Sequence, residues 1–331
     1  MAIRVGVIGA GSWGTTVAHL AAHNAPTTLW ARRNELARAI NERHVNDAYL
    51  AGYELHPDLR ASSDLAEVAG TADVVVMGVP SHGFRATLEE LAPHVRPWVP
   101  VVSLSKGFEL GTGLRMSELC HEVLPGHPVA VLTGPNLAKE ILAGGAAAAV
   151  VATEDDHVAA ELQRIFATEL FRVYVNHDVC GSEVAGALKN VIAIAAGMAD
   201  GLGTGDNTRA AVITRGLAEL TRLGVAMGGA PETFAGLAGM GDLVATCISP
   251  QSRNRTVGEQ LGRGRTIAEV TESMAQIAEG IKACLVAQQL ARRHHVDMPI
   301  TDEVVAVCHE GRSAADAYRG LLARTNQLET G

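Results

Sequence analysis

The chain has 331 residues, 47% of them hydrophobic and 19% charged, with a formal net charge of -9. That length exceeds what one hydrophobic core ordinarily organises, so two domains are expected, and the composition excludes a disordered chain. The negative surplus argues against nucleic-acid or anionic-membrane partners, so any anionic ligand must be gripped by local cations.

Aromatic residues make up only 4% of the chain, which leaves the core to Ala, Val, Leu and Ile. The cysteines Cys120, Cys180, Cys247, Cys284 and Cys308 are widely spaced and form no CxxC pair. Reduced thiols and a cytoplasmic protein are the expectation. No signal peptide is expected, because a strand-like run opens at Ile3. No apolar stretch escapes charge or glycine interruption long enough to predict a membrane span.

In chain order, the strand candidates are Val5 to Ile8, Thr27 to Trp30, Asp73 to Met77, Pro100 to Leu104 and Val129 to Leu132. Ala146 to Thr153 and Phe171 to Val175 follow, around a helical stretch from Asp155 to Ala167. Ser12 to Asn24 and Phe84 to Leu91 supply crossover helices. Short β-branched runs alternating with helical patterns read as a parallel sheet covered by helices. Past residue 177 the β-rich runs stop and Ala/Leu/Gly helices such as Ser182 to Ala199 and Thr208 to Leu223 take over. The expected division is therefore 1–177 for the sheet domain and 178–331 for an all-α domain, packed closely, with a ligand cleft between them.

Gly9-Ala10-Gly11-Ser12-Trp13-Gly14 follows the first strand directly and opens the first helix. A GxGxxG in that setting suits a dinucleotide. Gly9 allows the tight turn, Gly11 admits a pyrophosphate, Gly14 allows close packing, and the free amides at the helix start attract the anion. The fold expected is α/β, an N-terminal Rossmann-like doubly wound sheet followed by the helical domain. At the end of the second strand, where an acid would favour NAD, the sequence reads Trp30-Ala31-Arg32-Arg33. Two guanidinium groups there match a 2′-phosphate, which predicts that NADPH is bound at least as well as NADH. The alternative is a pair of solvated arginines opening a helix.

Four polar islands lie in apolar or glycine-rich surroundings. Lys106 follows the run Val101 to Leu104, at the strand end where open α/β sheets bind ligands. Gly134-Pro135-Asn136-Leu137-Ala138 likewise leads from a strand into a helix. Lys189 and Asn190 interrupt a helix of small apolar residues, and a buried lysine loses its proton readily enough to serve as a base; the alternative is a lysine that snorkels to water. Finally Asp242 could orient a lysine, and Ser252-Arg253-Asn254-Arg255, read as a loop, offers an arginine fork to a phosphate monoester. The thirteen histidines show neither HExxH spacing nor cysteine partners, so no metal is expected.

Taken together these segments resemble the bacterial type of NAD(P)-dependent glycerol-3-phosphate dehydrogenase. GAGSWG at Gly9 to Gly14, VPSHGF at Val79 to Phe84, SLSKG at Ser103 to Gly107 and TGPNLAKE at Thr133 to Glu140 carry the resemblance in the first half. ALKNVIAIAAGMADGLGTGDNTRAA at Ala187 to Ala211, GMGDLVATC at Gly239 to Cys247, SRNR at Ser252 to Arg255 and AEG at Ala278 to Gly280 carry it in the second. The resemblance implies interconversion of sn-glycerol 3-phosphate and dihydroxyacetone phosphate with NAD(P)H, feeding glycerophospholipid synthesis, by a cytoplasmic homodimer. It implies Lys189 as proton acceptor, with Lys106, Asp242 and Asn190 beside it. Lys106, Gly134, Asn136, Lys189, Asp242, Ser252, Arg253 and Asn254 would hold the substrate. Gly9, Gly11, Ser12, Trp13, Gly14, Arg32, Arg33, Phe84, Lys106, Ala138, Arg253, Ile277 and Glu279 would face the dinucleotide. Asn136 departs from the Ser or Thr of many relatives but keeps both donor and acceptor. Other two-domain β-hydroxy dehydrogenases, of the 3-hydroxyacyl or 6-phosphogluconate kind, and a dinucleotide sensor without turnover share this architecture, since fold alone does not fix the substrate.

Overall fold

The computed structural model describes residues 2–274 and 278–322. Eight strands form one sheet: β1 (Val5–Ile8), β2 (Thr27–Trp30), β3 (Arg60–Ser62), β4 (Val74–Met77), β5 (Val101–Ser103), β6 (Val129–Thr133), β7 (Ala147–Ala152) and β8 (Phe171–Asn176). Their spatial order is β3-β2-β1-β4-β5-β6-β7-β8. The reversal of strand order on either side of β1 creates the switch point at which α/β sheets bind ligands.

Every residue of β1, β4, β5 and β6 is buried, as parallel strands covered on both faces must be. Val5, Val7, Val74 and Val76 point into one core, with the helix Ser12–Ala22 packed on them. Ile8, Val75, Met77 and Val101 point into the other, with Leu88 and Leu91 of the helix Ser81–Leu91. The sheet departs from the all-parallel expectation at one pairing, where β7 runs antiparallel to β6 and parallel to β8. The connection from β6 to β7 holds only the five-residue helix Ala138–Leu142, too little for a full crossover. β3 was not foreseen, because a three-residue edge strand reading Arg-Ala-Ser has no apolar run to announce it.

Beyond β8 the described elements are helical. The helix Val179–Gly201 is long and apolar enough to cross a membrane by length and composition, yet 89% of its most apolar window is buried inside the protein. It is the axis of the helical core, ringed by Leu220, Leu223, Phe234, Leu243, Val257 and Ile281. Glu183, one turn into this helix, accepts from Arg115 Nη1 at 2.9 Å and from the Ser117 amide at 2.8 Å, which fastens this axis to the sheet half.

The closest packing within the helical half comes from paired glycines. A Cβ on Gly197 would stand 2.1 Å from the Arg255 carbonyl oxygen, and one on Gly201 would stand 2.2 Å from that of Glu259. On the facing helix Arg253–Gly262, a Cβ on Gly258 would stand 1.9 Å from the Ile194 carbonyl oxygen, and one on Gly262 would stand 2.4 Å from that of Met198. Glycines four apart on both helices let the backbones touch. That contact brings the start of one helix to the middle of the other, where the polar residues are.

Candidate active site at the carboxyl edge of the sheet

The turns after β1, β4, β5 and β6 all open on the same edge, because these strands run parallel. After β1, Gly9 has φ of +116°, a conformation that side chains resist, and a Cβ there would stand 2.7 Å from the Gly78 carbonyl oxygen. A Cβ on Gly14 would stand 2.1 Å from the Gly9 carbonyl oxygen. At Gly11, by contrast, there is nothing within 4 Å of where a Cβ would be. Two glycines are thus demanded by packing and the third opens onto free space. No side chain caps the helix that Gly11 starts, which leaves its first amides available to an anion. Arg32 and Arg33 are exposed just past β2, where Arg33 stands as N-cap of the helix Asn34–Arg43.

After β5 and β6 the chain builds the polar centre. Lys106 Nζ donates to the Gly134 carbonyl oxygen at 2.9 Å and to Asp242 Oδ2 at 2.6 Å. Lys189 Nζ donates to Asp242 Oδ1 and to Thr246 Oγ1, the latter at 2.7 Å. The Asp242 carboxylate thus joins one lysine from each half of the protein. Lys189 is 6% exposed and Asp242 2%, so Lys189 does not snorkel to water. Burial, with the neighbouring Lys106 cation, lowers the Lys189 ammonium to about 8 against the pull of Asp242. Asp242 is delivered by a π turn, Leu237–Gly241, before the helix Asp242–Ile248. Within that turn a Cβ on Gly239 would stand 2.1 Å from the Phe234 carbonyl oxygen. Such turns concentrate at functional positions.

Asn190 Nδ2 donates to the Lys106 carbonyl oxygen at 3.2 Å, and its Oδ1 accepts from Asn254 Nδ2 at 2.9 Å. Asn254 Oδ1 accepts in turn from the Gly280 amide at 2.9 Å. This chain of amides fixes the Lys106 loop, the helix carrying Lys189 and the starts of two further helices relative to one another. Glu279 opens the helix Glu279–Arg293. Burial raises its carboxyl, while Arg253, Lys189 and Lys106 draw it back down and the Ser81 amide donates to it. Asn136 Nδ2 and Oδ1 and Thr133 Oγ1 are buried without a protein partner. Unmet polar groups of this kind are what a ligand satisfies.

Several expected positions differ from the sequence reading. Ser252-Arg253-Asn254-Arg255 is not a loop: Ser252 is an N-cap whose hydroxyl accepts from the Arg255 amide at 3.2 Å, and the next three residues are the first turn of the helix Arg253–Gly262. Arg255 is held by Asp200 at 2.8 Å and Glu259 at 3.3 Å, so only Arg253 of the expected fork stands exposed. Phe84 is fully buried among the Ile8 and Met77 core and presents no surface to the cleft, unlike the cofactor-facing residue expected. Ile277 lies outside the described residues. Thr246 was overlooked, although its place four residues after Asp242 in GMGDLVATC puts both on one helix face.

Two family descriptions cover most of the chain: "NAD-dependent glycerol-3-phosphate dehydrogenase N-terminus" matches residues 4–159, and "NAD-dependent glycerol-3-phosphate dehydrogenase C-terminus" matches residues 178–319. The chain belongs to the NAD-dependent glycerol-3-phosphate dehydrogenase family. Among its relatives in this family, a glycerol-3-phosphate dehydrogenase (NAD(P)+) of Sphingopyxis alaskensis is 59% identical over 322 residues, 97% of each chain. One from Mycobacterium avium is 57% identical over 97% of this chain and 94% of its own. The crystal structure of glycerol-3-phosphate dehydrogenase from Coxiella burnetii superposes with a TM-score of 0.93 at 35% identity, covering 98% of this chain and 99% of that one. Ketopantoate reductases share the fold at 16% identity, so within the wider architecture it is the glycerol-3-phosphate dehydrogenase family that this chain joins.

Proposed function

We propose that this chain interconverts sn-glycerol 3-phosphate and dihydroxyacetone phosphate, with Lys189 exchanging the proton of the C2 oxygen. The observation that carries the reading is a buried lysine amine, lowered to about 8 and held in place by Asp242 and Thr246 beside a second lysine. A base with its proton affinity near the working pH is what removal of a hydroxyl proton requires.

The glycine turn fits a dinucleotide, since it is open at Gly11 and closed at Gly9 and Gly14. Gly9, Gly11, Ser12, Trp13 and Gly14 would hold the pyrophosphate end, Arg32 and Arg33 the 2′ position, and Ala138, Arg253 and Glu279 the remainder. When bound, NAD(P) supplies the hydride acceptor of the oxidation and NAD(P)H the hydride donor of the reduction. Lys189 Nζ takes the C2 hydroxyl proton as the free amine and returns it as the ammonium in the reverse direction. Asp242 keeps that amine aimed, and the Lys106 cation, anchored on the Gly134 carbonyl oxygen and Asp242, offsets negative charge on the same oxygen. Asn190 holds Lys106 at its carbonyl oxygen and Asn254 at its amide. Asn136 and Gly134 would meet the polyol. Arg253 and Ser252, at a helix start, would receive the phosphate, because helix amides and guanidinium groups both favour a dianion. The product is a precursor of glycerophospholipids, and the protein acts in the cytoplasm as a homodimer; both of the latter readings rest on the family resemblance.

Oxidation of NADH and NADPH by dihydroxyacetone phosphate, run in parallel, tests the reading. Turnover is expected with both, and Lys189→Met should lower kcat by about two to four orders of magnitude. Turnover with acetoacetyl-CoA, or with ribulose 5-phosphate and CO₂, in place of dihydroxyacetone phosphate would overturn the substrate. Arg32→Ala/Arg33→Ala should weaken NADPH more than NADH. Sedimentation at a monomer's mass would overturn the dimer.

A further inference from the structure

Between β2 and β3 the chain makes an excursion over residues 44–59 that the mechanism does not use. It is tied to both ends of the dinucleotide helix Ser12–Ala22. At the far end, His19 Nδ1 accepts from the His56 amide at 2.9 Å. At the near end, the Ser12 hydroxyl donates to the Tyr49 carbonyl oxygen at 3.3 Å. Between these ties sits Asn46, wholly buried, whose Nδ2 donates to the Ala10 carbonyl oxygen at 3.0 Å and to Thr15 Oγ1 at 2.8 Å. Ala10 is the residue between the first two glycines of the turn.

A trans peptide fixes the consequence. The carbonyl of Ala10 and the N–H of Gly11 belong to one planar unit and point in opposite directions. Holding the carbonyl inward therefore turns the Gly11 amide to the opposite side, and the approach to Gly11 is open, since nothing stands within 4 Å of where its Cβ would be. Gly11 has no side chain to resist rotation of this peptide. A flipped peptide would present carbonyl lone pairs to an anion in place of an N–H. The orientation of Asn46 is itself unambiguous, because the Ala10 carbonyl can only accept and so must face Nδ2.

We infer that Asn46 is a positioning residue for the dinucleotide, locking the Ala10–Gly11 peptide with its N–H toward the pyrophosphate. The inference rests on the dinucleotide reading above. Asn46 touches neither cofactor nor substrate and acts through the glycine turn.

Calorimetric titration of the full chain with NADH and with NADPH tests it without any turnover. In Asn46→Ala both dissociation constants should rise about tenfold and by the same factor, the scale of one lost buried hydrogen bond, since the two cofactors share the pyrophosphate. The kcat at saturating cofactor and the KM for glycerol 3-phosphate should stay at the wild-type values. Asn46→Asp separates locking from packing. It matches the shape of asparagine but sets an oxygen against the Ala10 carbonyl, so it should bind worse than Asn46→Ala, whereas a packing role predicts that it binds better. If neither variant folds, Thr15→Val removes one of the two acceptors without changing volume, and about a threefold rise is expected. Wild-type constants in the folded variants, or better binding by Asn46→Asp than by Asn46→Ala, overturn the lock alone. Absence of binding to both cofactors by the wild type overturns the dinucleotide reading and the lock with it.

Discussion

The protonation of Lys189 gives the sharpest test, because two neighbours push it in opposite directions. A lysine that ordinarily titrates at 10.5 is lowered to about 8, a shift worth about 3 kcal/mol against the ammonium. At pH 7 roughly one amine in ten is then free, against roughly one in three thousand for an unperturbed lysine, so the site gains about 300-fold in competent base. Oxidation of glycerol 3-phosphate should therefore climb with pH and level off above about 8, while reduction, which needs the ammonium as donor, should fall through the same window. The assay is kcat/KM in both directions from pH 6 to 10, which reports groups of the free enzyme. The substrate's second phosphate ionisation, near about 6, lies well below this limb. Asp242 raises the Lys189 value and Lys106 lowers it. Asp242→Asn should accordingly move the limb to lower pH, and Lys106→Met should move it to higher pH, although both variants lose activity at the plateau. A limb that shifts the same way in both, or that survives in Lys189→Met, would refute the assignment of the base.

Three further outcomes follow from the packing. Arg253→Ala should raise KM for glycerol 3-phosphate, whereas Arg255→Ala, which breaks the partly buried contacts to Asp200 and Glu259, should lower stability by about 1–3 kcal/mol and leave KM in place; denaturant melts and initial rates distinguish the two. Gly11→Ala should fold normally and lose cofactor binding, while Gly14→Ala, whose Cβ would meet the Gly9 carbonyl oxygen at 2.1 Å, should cost about 3 kcal/mol or more of stability, so the pair separates ligand space from packing in one thermal and calorimetric comparison. Gly258→Ala should force apart the helices Val179–Gly201 and Arg253–Gly262, move Asn254 off Asn190, and lower kcat about 100-fold even in protein that melts cooperatively, the scale of a 1 Å misplacement; an unchanged kcat would disconnect that crossing from the site.

What the sequence disclosed, and what it concealed, divide along one physical line. Strands such as β1 and β4 and the GAGSWG turn were legible because their signals are local: apolar runs of the right length and glycines at fixed offsets after a strand. Lys106 and Lys189 stood out because a cation inside an apolar run needs an explanation wherever the chain goes. Hidden were the facts that arise between distant segments. Gly197, Gly201, Gly258 and Gly262 read singly as weak points of helices, and only their facing one another makes them a contact surface. Ser252 to Arg255 looked like a loop because Arg and Asn do not announce a helix, yet a serine N-cap followed by a helical turn is a local signal that could have been used. Asn46 gave no sign at all, since an asparagine in a polar stretch passes for a turn residue until its amide is found on the Ala10 carbonyl. The same division assigns the risk in substitution. Changes at locally signalled positions strike groups that meet the ligands, while changes at the glycine crossing or at Asn46 would leave every such group present and displace it, so kcat should fall at the crossing and cofactor affinity, with kcat kept, at Asn46.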